Sequence, residues 1–147
     1  MSTTSTILLV EDNEDDEILT LRALKKNHIA NEVVVTRDGA AALDYLFGRG
    51  AWASRDASAA PQLVLLDLNL PKVSGLGVLK ELRADPRLRA MPVVVLTSSK
   101  EDEDVIESYQ LGANSYVRKP VDFTQFTEAV RTLGLYWLVI NHVPGKP

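Results

Sequence analysis

The amino-acid sequence predicts an α/β protein with a doubly wound parallel sheet of five strands. Three observations predict it. Five short apolar runs alternate with amphipathic helical patterns, as in a chain built from β-α-β units. Three of those runs are almost continuously hydrophobic, as strands are when helices cover both faces of their sheet. Acids, a hydroxyl and a lysine stand just past successive runs, where open α/β sheets bind their ligands.

The first strand, Thr6–Val10, ends in Glu11 and Asp12. The helix expected over 15–27 opens in an acidic run, Glu11 to Glu17, which reads mostly as a solvated helix start favoured by the helix dipole. The second strand, Glu32–Thr36, leads to a helix over 39–47. The segment from Gly48 to Pro61 is rich in small residues and has no period, so it reads as a long surface loop. The third strand, Leu63–Asp67, is followed by a helix over 75–84. The fourth, Val93–Thr97, is followed by a helix over 104–111. The fifth, Ser115–Arg118, leads to a last helix from Phe123 onward. There Phe123, Phe126, Val130, Leu133 and Trp137 recur at three- and four-residue steps and can face the core.

A length of 147 residues suits a single domain, with a core over about 5–134 and a C-terminal extension over about 135–147. With 16 basic and 20 acidic residues, the net charge of −4 argues against a nucleic-acid surface. There is no cysteine, which excludes disulfides, thiolate metal sites and cysteine nucleophiles. The first residues lack a basic and an apolar signal region, and no apolar run approaches the roughly 20 residues of a membrane span. A cytoplasmic protein is the expectation.

The chemistry concentrates on Asp67. In a parallel sheet, the ends of the first and third strands lie side by side, so Glu11, Asp12 and Asp67 would crowd one pocket. Like charges at close range raise one another's pKa and destabilise the fold unless something neutralises them. A hard divalent cation such as Mg²⁺ does so with oxygen ligands, and a carboxylate beside a metal is a possible nucleophile toward phosphorus. Thr97 and Ser98 end the fourth strand and Lys119 follows the fifth, which adds a hydroxyl and an ammonium for phosphoryl oxygens. Each residue alone has a plainer reading: Asp12 as a helix N-cap, Thr97 as a strand-end hydroxyl, Lys119 as a surface charge. Their arrival at the same end of successive strands outweighs those readings.

These residues resemble the receiver domain of two-component response regulators over nearly the whole chain. Glu11-Asp12 matches the acidic pair, and 65–75 (Leu65-Leu66-Asp67-Leu68-Asn69-Leu70-Pro71-Lys72-Val73-Ser74-Gly75) matches the phosphoacceptor loop. Val95-Leu96-Thr97-Ser98 and Tyr116-Val117-Arg118-Lys119-Pro120 match the last two strand ends. The resemblance implies a flavodoxin-like sheet of order 2-1-3-4-5 with an extended C-terminal helix. It implies that Asp67 accepts a phosphoryl group from a sensor histidine kinase. Asp12, Asp67 and the backbone carbonyl of Asn69 would bind Mg²⁺, with Glu11 acting largely through water. Thr97 and Lys119 would hold phosphoryl oxygens, and Thr97 and Tyr116 would form the switch. Lys119-Pro120 would be a cis peptide. Ser98 would leave access to Asp67 open, and Ser99 would tune loss of the phosphoryl group.

The function expected is a signalling switch rather than an enzyme. A phosphotransfer shuttle or phosphate sink in a relay is the main alternative. An Asp-nucleophile phosphohydrolase fits less well, because Asn69 stands where such enzymes carry a second acid. A degenerate interaction module fits poorly, because every chemical position is filled.

No DNA-binding module follows the receiver pattern, so a stand-alone receiver is expected. The long loop and the apolar tail look like those of regulators paired with phytochrome-type photoreceptor kinases. That resemblance implies a symmetric homodimer through the fourth helix, fifth strand, last helix and tail. Leu135, Tyr136, Trp137, Leu138, Val139 and Ile140 place apolar residues around a terminal helix that one fold cannot bury on every side. Replacing Tyr136 and Trp137 together with Ala is therefore expected to yield monomers; an unchanged mass by light scattering would refute this.

Overall fold

The computed structural model describes residues 6–26, 32–54, 61–97, 110–119 and 123–132, with only the backbone at Thr97, Phe123 and 130–132. The chain runs β1 (Thr6–Val10), α1 (Glu14–Lys26), β2 (Glu32–Thr36), α2 (Gly39–Phe47) and a 3-10 turn (Gly50–Trp52). It continues through β3 (Leu63–Asp67), α3 (Gly75–Ala84), β4 (Val93–Thr97), β5 (Ser115–Arg118) and α4 (Phe123–Thr132). The strands form one parallel sheet in the order β2-β1-β3-β4-β5, the doubly wound, flavodoxin-like arrangement expected from the sequence. The helix expected over 104–111 falls almost wholly outside the described residues, as does the tail from Leu133 onward, including Tyr136, Trp137, Leu138 and Ile140.

Side-chain alternation along the strands builds two cores. Leu8, Val10, Val64, Leu66, Val93 and Val95 face one side and pack with α2 and α3 through Leu43, Leu46, Val78, Leu79 and Leu82. Ile7, Leu9, Leu63, Leu65, Val94 and Leu96 face the other and pack with α1 and α4 through Ala23, Leu24, Phe126 and Ala129. Successive residues of a strand point to opposite faces, so a central strand with both faces covered must be apolar throughout. The edge strands differ: Glu32 on β2 and Tyr116 and Arg118 on β5 are exposed. Each fully buried Leu, Ile or Phe contributes about 1.5–3 kcal/mol relative to exposure.

Local chemistry explains the helix ends. Asn13 caps α1, its Oδ1 accepting from the Asp16 N–H at 2.9 Å. Asp38 caps α2 by accepting from Ala41 N–H at 2.7 Å, and Ser74 caps α3 by accepting from Gly77 N–H at 3.1 Å. Such caps satisfy backbone donors that the first turn leaves unpaired. Gly48 ends α2 in the left-handed region, at φ 66°, where glycine has no Cβ penalty.

The segment after α2 is less featureless than its composition implies. Trp52, at the end of the 3-10 turn, meets Tyr45 edge-on with ring centroids 4.9 Å apart. The Arg49 guanidinium lies 5.0 Å over the Phe47 ring and pairs with Asp44 at 3.1 Å. Aromatic packing therefore ties the start of the loop back to α2; 55–60 lie outside the described residues.

At the amino-terminal edge of the sheet, Arg83 joins three segments. Its guanidinium donates to the carbonyls of Arg89, Met91 and Gly112 and to Asn114 Oδ1, over 2.6–3.0 Å. Asn114 Oδ1 also accepts from Val93 N–H at 2.8 Å. Burial lowers the Arg83 pKa from its ordinary value.

At the opposite edge, the loop between β3 and α3 folds tightly against the end of β3. Leu68 N–H donates to Leu96 O at 3.2 Å, and Gly75 N–H donates to Leu68 O at 3.0 Å. A Cβ on Gly75 would lie 2.2 Å from the carbonyl oxygen of Asp67, which excludes a side chain there. Gly75→Ala is expected to displace this loop and cost about 1–3 kcal/mol, as overpacking does. Urea denaturation measures it; a midpoint equal to that of the wild type would contradict the close approach.

Candidate functional site

Strand register assembles the site. Val10 pairs with Leu66 and Asp67 with Leu96, so the residues past β1 meet the end of β3. Thr97 pairs with Arg118, which puts the backbone of Thr97 and the residue after β5 at the same edge. Glu11 is fully buried and Asp67 is 2% exposed, whereas Asp12 is open to solvent. One carboxylate oxygen from each of the three lies within 4.8 Å of the others.

Lys119 closes the pocket. Its ammonium donates to Glu11 Oε1 at 3.0 Å and Oε2 at 3.1 Å, to Asp16 Oδ2 at 2.9 Å and to Asp67 Oδ2 at 3.2 Å. An ammonium carries three N–H donors, matching its three carboxylate partners. The Lys119 side chain is only 8% exposed, so its reading as a solvated surface charge does not apply. The second oxygen of Asp67 accepts from Asn69 N–H at 3.2 Å, and Glu11 Oε2 accepts from Asn13 N–H at 3.2 Å.

Electrostatics reflect this crowding. Burial pushes the Glu11 carboxyl up; the hydrogen bond from Lys119 opposes that, the charge of Asp67 adds to it, and the result is about 7. Burial works against the Lys119 ammonium, but its bonds to Asp16 and Glu11 and the charges of Asp67 and Glu11 prevail and raise its pKa. Among the described residues, three carboxylates (Glu11, Asp16 and Asp67) meet this ammonium and a fourth, Asp12, lies beside Glu11 and Asp67, so acid exceeds base in a mostly buried pocket. Convergent carboxylate oxygens with uncompensated charge are the donor set that a hard divalent cation takes. Glu11, Asp12 and Asp67 fit such an ion.

Several of the residues singled out from the sequence lie among the described residues. Glu11, Asp12, Asp67 and Lys119 converge. Asn69 adjoins Asp67 through its backbone N–H. Tyr116 lies on the edge strand β5 and is 40% exposed. Thr97 stands at the same sheet edge by its backbone; its side chain is outside the described residues, as are Ser98, Ser99, Pro120 and the Lys119-Pro120 peptide. The N-cap reading of Asp12 is replaced by Asn13, which leaves Asp12 free for the pocket.

The reading of the acidic run as mostly solvated needs correction at three residues. Glu11 is buried, Asp16 binds Lys119, and Glu17 pairs with Arg37 at the end of β2. The run itself gave no means to single out Asp16. Its one signal is position: three residues after a capping Asn, on the turn of α1 that follows the site.

A family model described as Response regulator receiver domain matches residues 7–131. The chain is 44% identical over 140 residues to the probable methanogenesis regulatory protein FilR2 of Methanothrix harundinacea, covering 95% of this chain and 87% of that protein. It is 42% identical over 139 residues to the response regulator Rcp1 of Synechocystis, covering 95% and 92%. Among solved structures, the bacteriophytochrome response regulator RtBRR is similar with 51% identity and a TM-score of 0.86, over 97% of this chain and 86% of that one. The Mn²⁺-bound form of Rcp1 is similar with 40% identity and a TM-score of 0.75, over 91% and 94%.

The raised Glu11 pKa gives a signed pH dependence in metal-free protein. Folded Glu11 holds its proton up to about pH 7, whereas the unfolded chain releases it near the ordinary 4.5. The folded form thus binds more protons across that window, and this residue's contribution to stability falls as pH rises through it. Glu11→Gln removes the fall. In EDTA the variant is expected to gain on the wild type by on the order of 2 kcal/mol between about pH 5 and about pH 7.5. Urea midpoints measure this, and parallel pH profiles would refute it.

Proposed function

The chain belongs to the response regulator receiver domain family, and on that premise we propose that it is a signalling switch that takes a phosphoryl group onto Asp67. The observation that carries this is the convergence of buried Asp67 with Glu11, Asp12 and the Lys119 ammonium at one sheet edge. The donor is a phosphohistidine on a sensor histidine kinase. An Asp67 carboxylate oxygen attacks phosphorus in line, the new P–O bond forms as the P–N bond breaks, and the imidazole nitrogen takes the electron pair. Asp67 becomes a mixed anhydride, which water hydrolyses to restore the carboxylate and release inorganic phosphate.

The chain's own residues divide the work. Glu11, Asp12, Asp67 and the Asn69 carbonyl would hold Mg²⁺, which when bound supplies charge neutralisation for the carboxylates and phosphoryl oxygens. The Mn²⁺-bound form of Rcp1 supports a divalent site in this family. Lys119, which donates to Asp67, would pair with a phosphoryl oxygen. Thr97 would donate to another.

The phosphoryl group carries about −1.5 to −2 charge where the carboxylate carried −1, so the site gains up to about one negative charge, and only a difference in how two conformations bind that group shifts their populations. Moving an equilibrium from 1:99 to 99:1 takes about 5.5 kcal/mol. New bonds from Thr97 and Lys119, at about 1.5–3 kcal/mol each for charged partners, are of the right size. Thr97 and Tyr116 form the switch in this reading, and β5 with α4 forms part of the surface that reports it.

The partner in this reading is a phytochrome-type kinase, supported by the likeness to the bacteriophytochrome response regulator RtBRR. A homodimer through the helix expected over 104–111, β5, α4 and the tail, a single domain over 1–147 and a cytoplasmic location complete it.

Intact-protein mass after incubation with Mg²⁺ and a small amidophosphate or acyl phosphate tests the central step. One phosphoryl group is expected on the wild type, none with EDTA, and none on Asp67→Asn. A labelled Asp67→Asn protein would overturn the assignment.

A further inference from the structure

Asp16 is the feature of the site that the proposed reaction leaves unused. Its carboxylate makes the shortest of Lys119's contacts, 2.9 Å, across 103 residues of sequence. Lys119's other two partners have competing roles. Glu11 and Asp67 belong to the carboxylate trio that fits a divalent cation, and Asp67 ceases to be a carboxylate once it carries a phosphoryl group. Asp16 lies outside that trio and is chemically unchanged through the cycle.

The backbone around Asp16 is fixed. Its own N–H donates to Asn13 Oδ1 at 2.9 Å, in the capped first turn of α1. Its side chain is 28% exposed, against 0% for Glu11 and 3% for Asp67. Asp16 is therefore the rim acceptor, and it belongs to a helix rather than to a strand end.

Resting on the phosphoryl-acceptor reading above, we infer that Asp16 is a positioning residue for Lys119. It retains one N–H of the ammonium while the donor to Asp67 exchanges a carboxylate oxygen for a phosphoryl oxygen. A lysine side chain carries a large rotamer entropy, and one permanent acceptor keeps its head group at Asp67 through that exchange. Asp16 touches neither the phosphorus nor the attacking oxygen; it acts through Lys119.

Positioning and plain charge predict different variant patterns. Asp16→Ala removes the acceptor and the charge; Asp16→Asn removes the charge and keeps an acceptor oxygen. If Asp16 positions Lys119, Asp16→Ala lowers the labelling rate with Mg²⁺ and a small amidophosphate by about three- to tenfold, the size of one partly exposed charged hydrogen bond. Asp16→Asn then recovers most of that loss. If Asp16 acts only as a negative charge, the two variants behave alike, and label faster because an anionic donor is repelled less. Equal rates in the two variants, or an Asp16→Ala rate equal to wild type, overturn the inference while the wild type still labels at Asp67. A wild type that takes no label overturns both readings. Thermal midpoints measured on the same samples, with Asp16→Ser as a second variant lacking the carboxylate, separate a lost acceptor from a lost fold.

Discussion

One buried ammonium holds the carboxyl edge of this sheet together. Glu11 and Asp67 sit at the ends of neighbouring strands with almost no exposure, in surroundings where a lone carboxylate is costly. Lys119 meets both, and its own burial is compensated only because carboxylates surround it. The arrangement remains unbalanced, with more acid than base, and its compensation depends on what else enters the pocket. The same imbalance that costs stability in the metal-free protein supplies the attraction for a dication.

The rest of the fold is arranged so that this edge can exist. Parallel pairing brings the ends of successive strands to one side, and two-sided burial holds the central strands in register. A one-residue slip would move an entire apolar set to the wrong face, and would also carry Asp67 away from Glu11. The hydrophobic pattern thus sets the site geometry, although no apolar residue takes part in the chemistry. The close approach of Gly75 to the Asp67 carbonyl extends that control to the loop beyond β3.

Much of this was legible in the sequence, for physical reasons that differ by element. All five strands have the boundaries their apolar runs predicted, because a polar residue or a proline interrupts each run: Glu11 after the first, Asn31, Gln62, Pro92 and Asn114 before the others. The first helix begins at Glu14 rather than at residue 15, because Asn13 supplies the cap. Glu11, Asp12, Asp67 and Lys119 could be named because each stands at or just past the end of a recognisable strand. Asp16 could not be singled out: within an acidic run its chemistry is that of its neighbours, and only the folded chain brings it to Lys119. The linkages made by Arg83 and the packing of Trp52 on Tyr45 were hidden for the same reason. They depend on long side chains reaching across the fold, which periodicity does not encode.

Arg83 gives the molecule a mechanical asymmetry. Its planar fork bridges the segments that enter β4 and β5, and a guanidinium with several fixed partners resists shear in more than one direction. β4 and β5 are thereby riveted at their amino ends, while the residue after β5 is held by ion pairs whose partners can be exchanged. A displacement of β5 must consequently resemble the swing of a beam clamped at one end, with the smallest travel near Asn114 and the largest near Lys119.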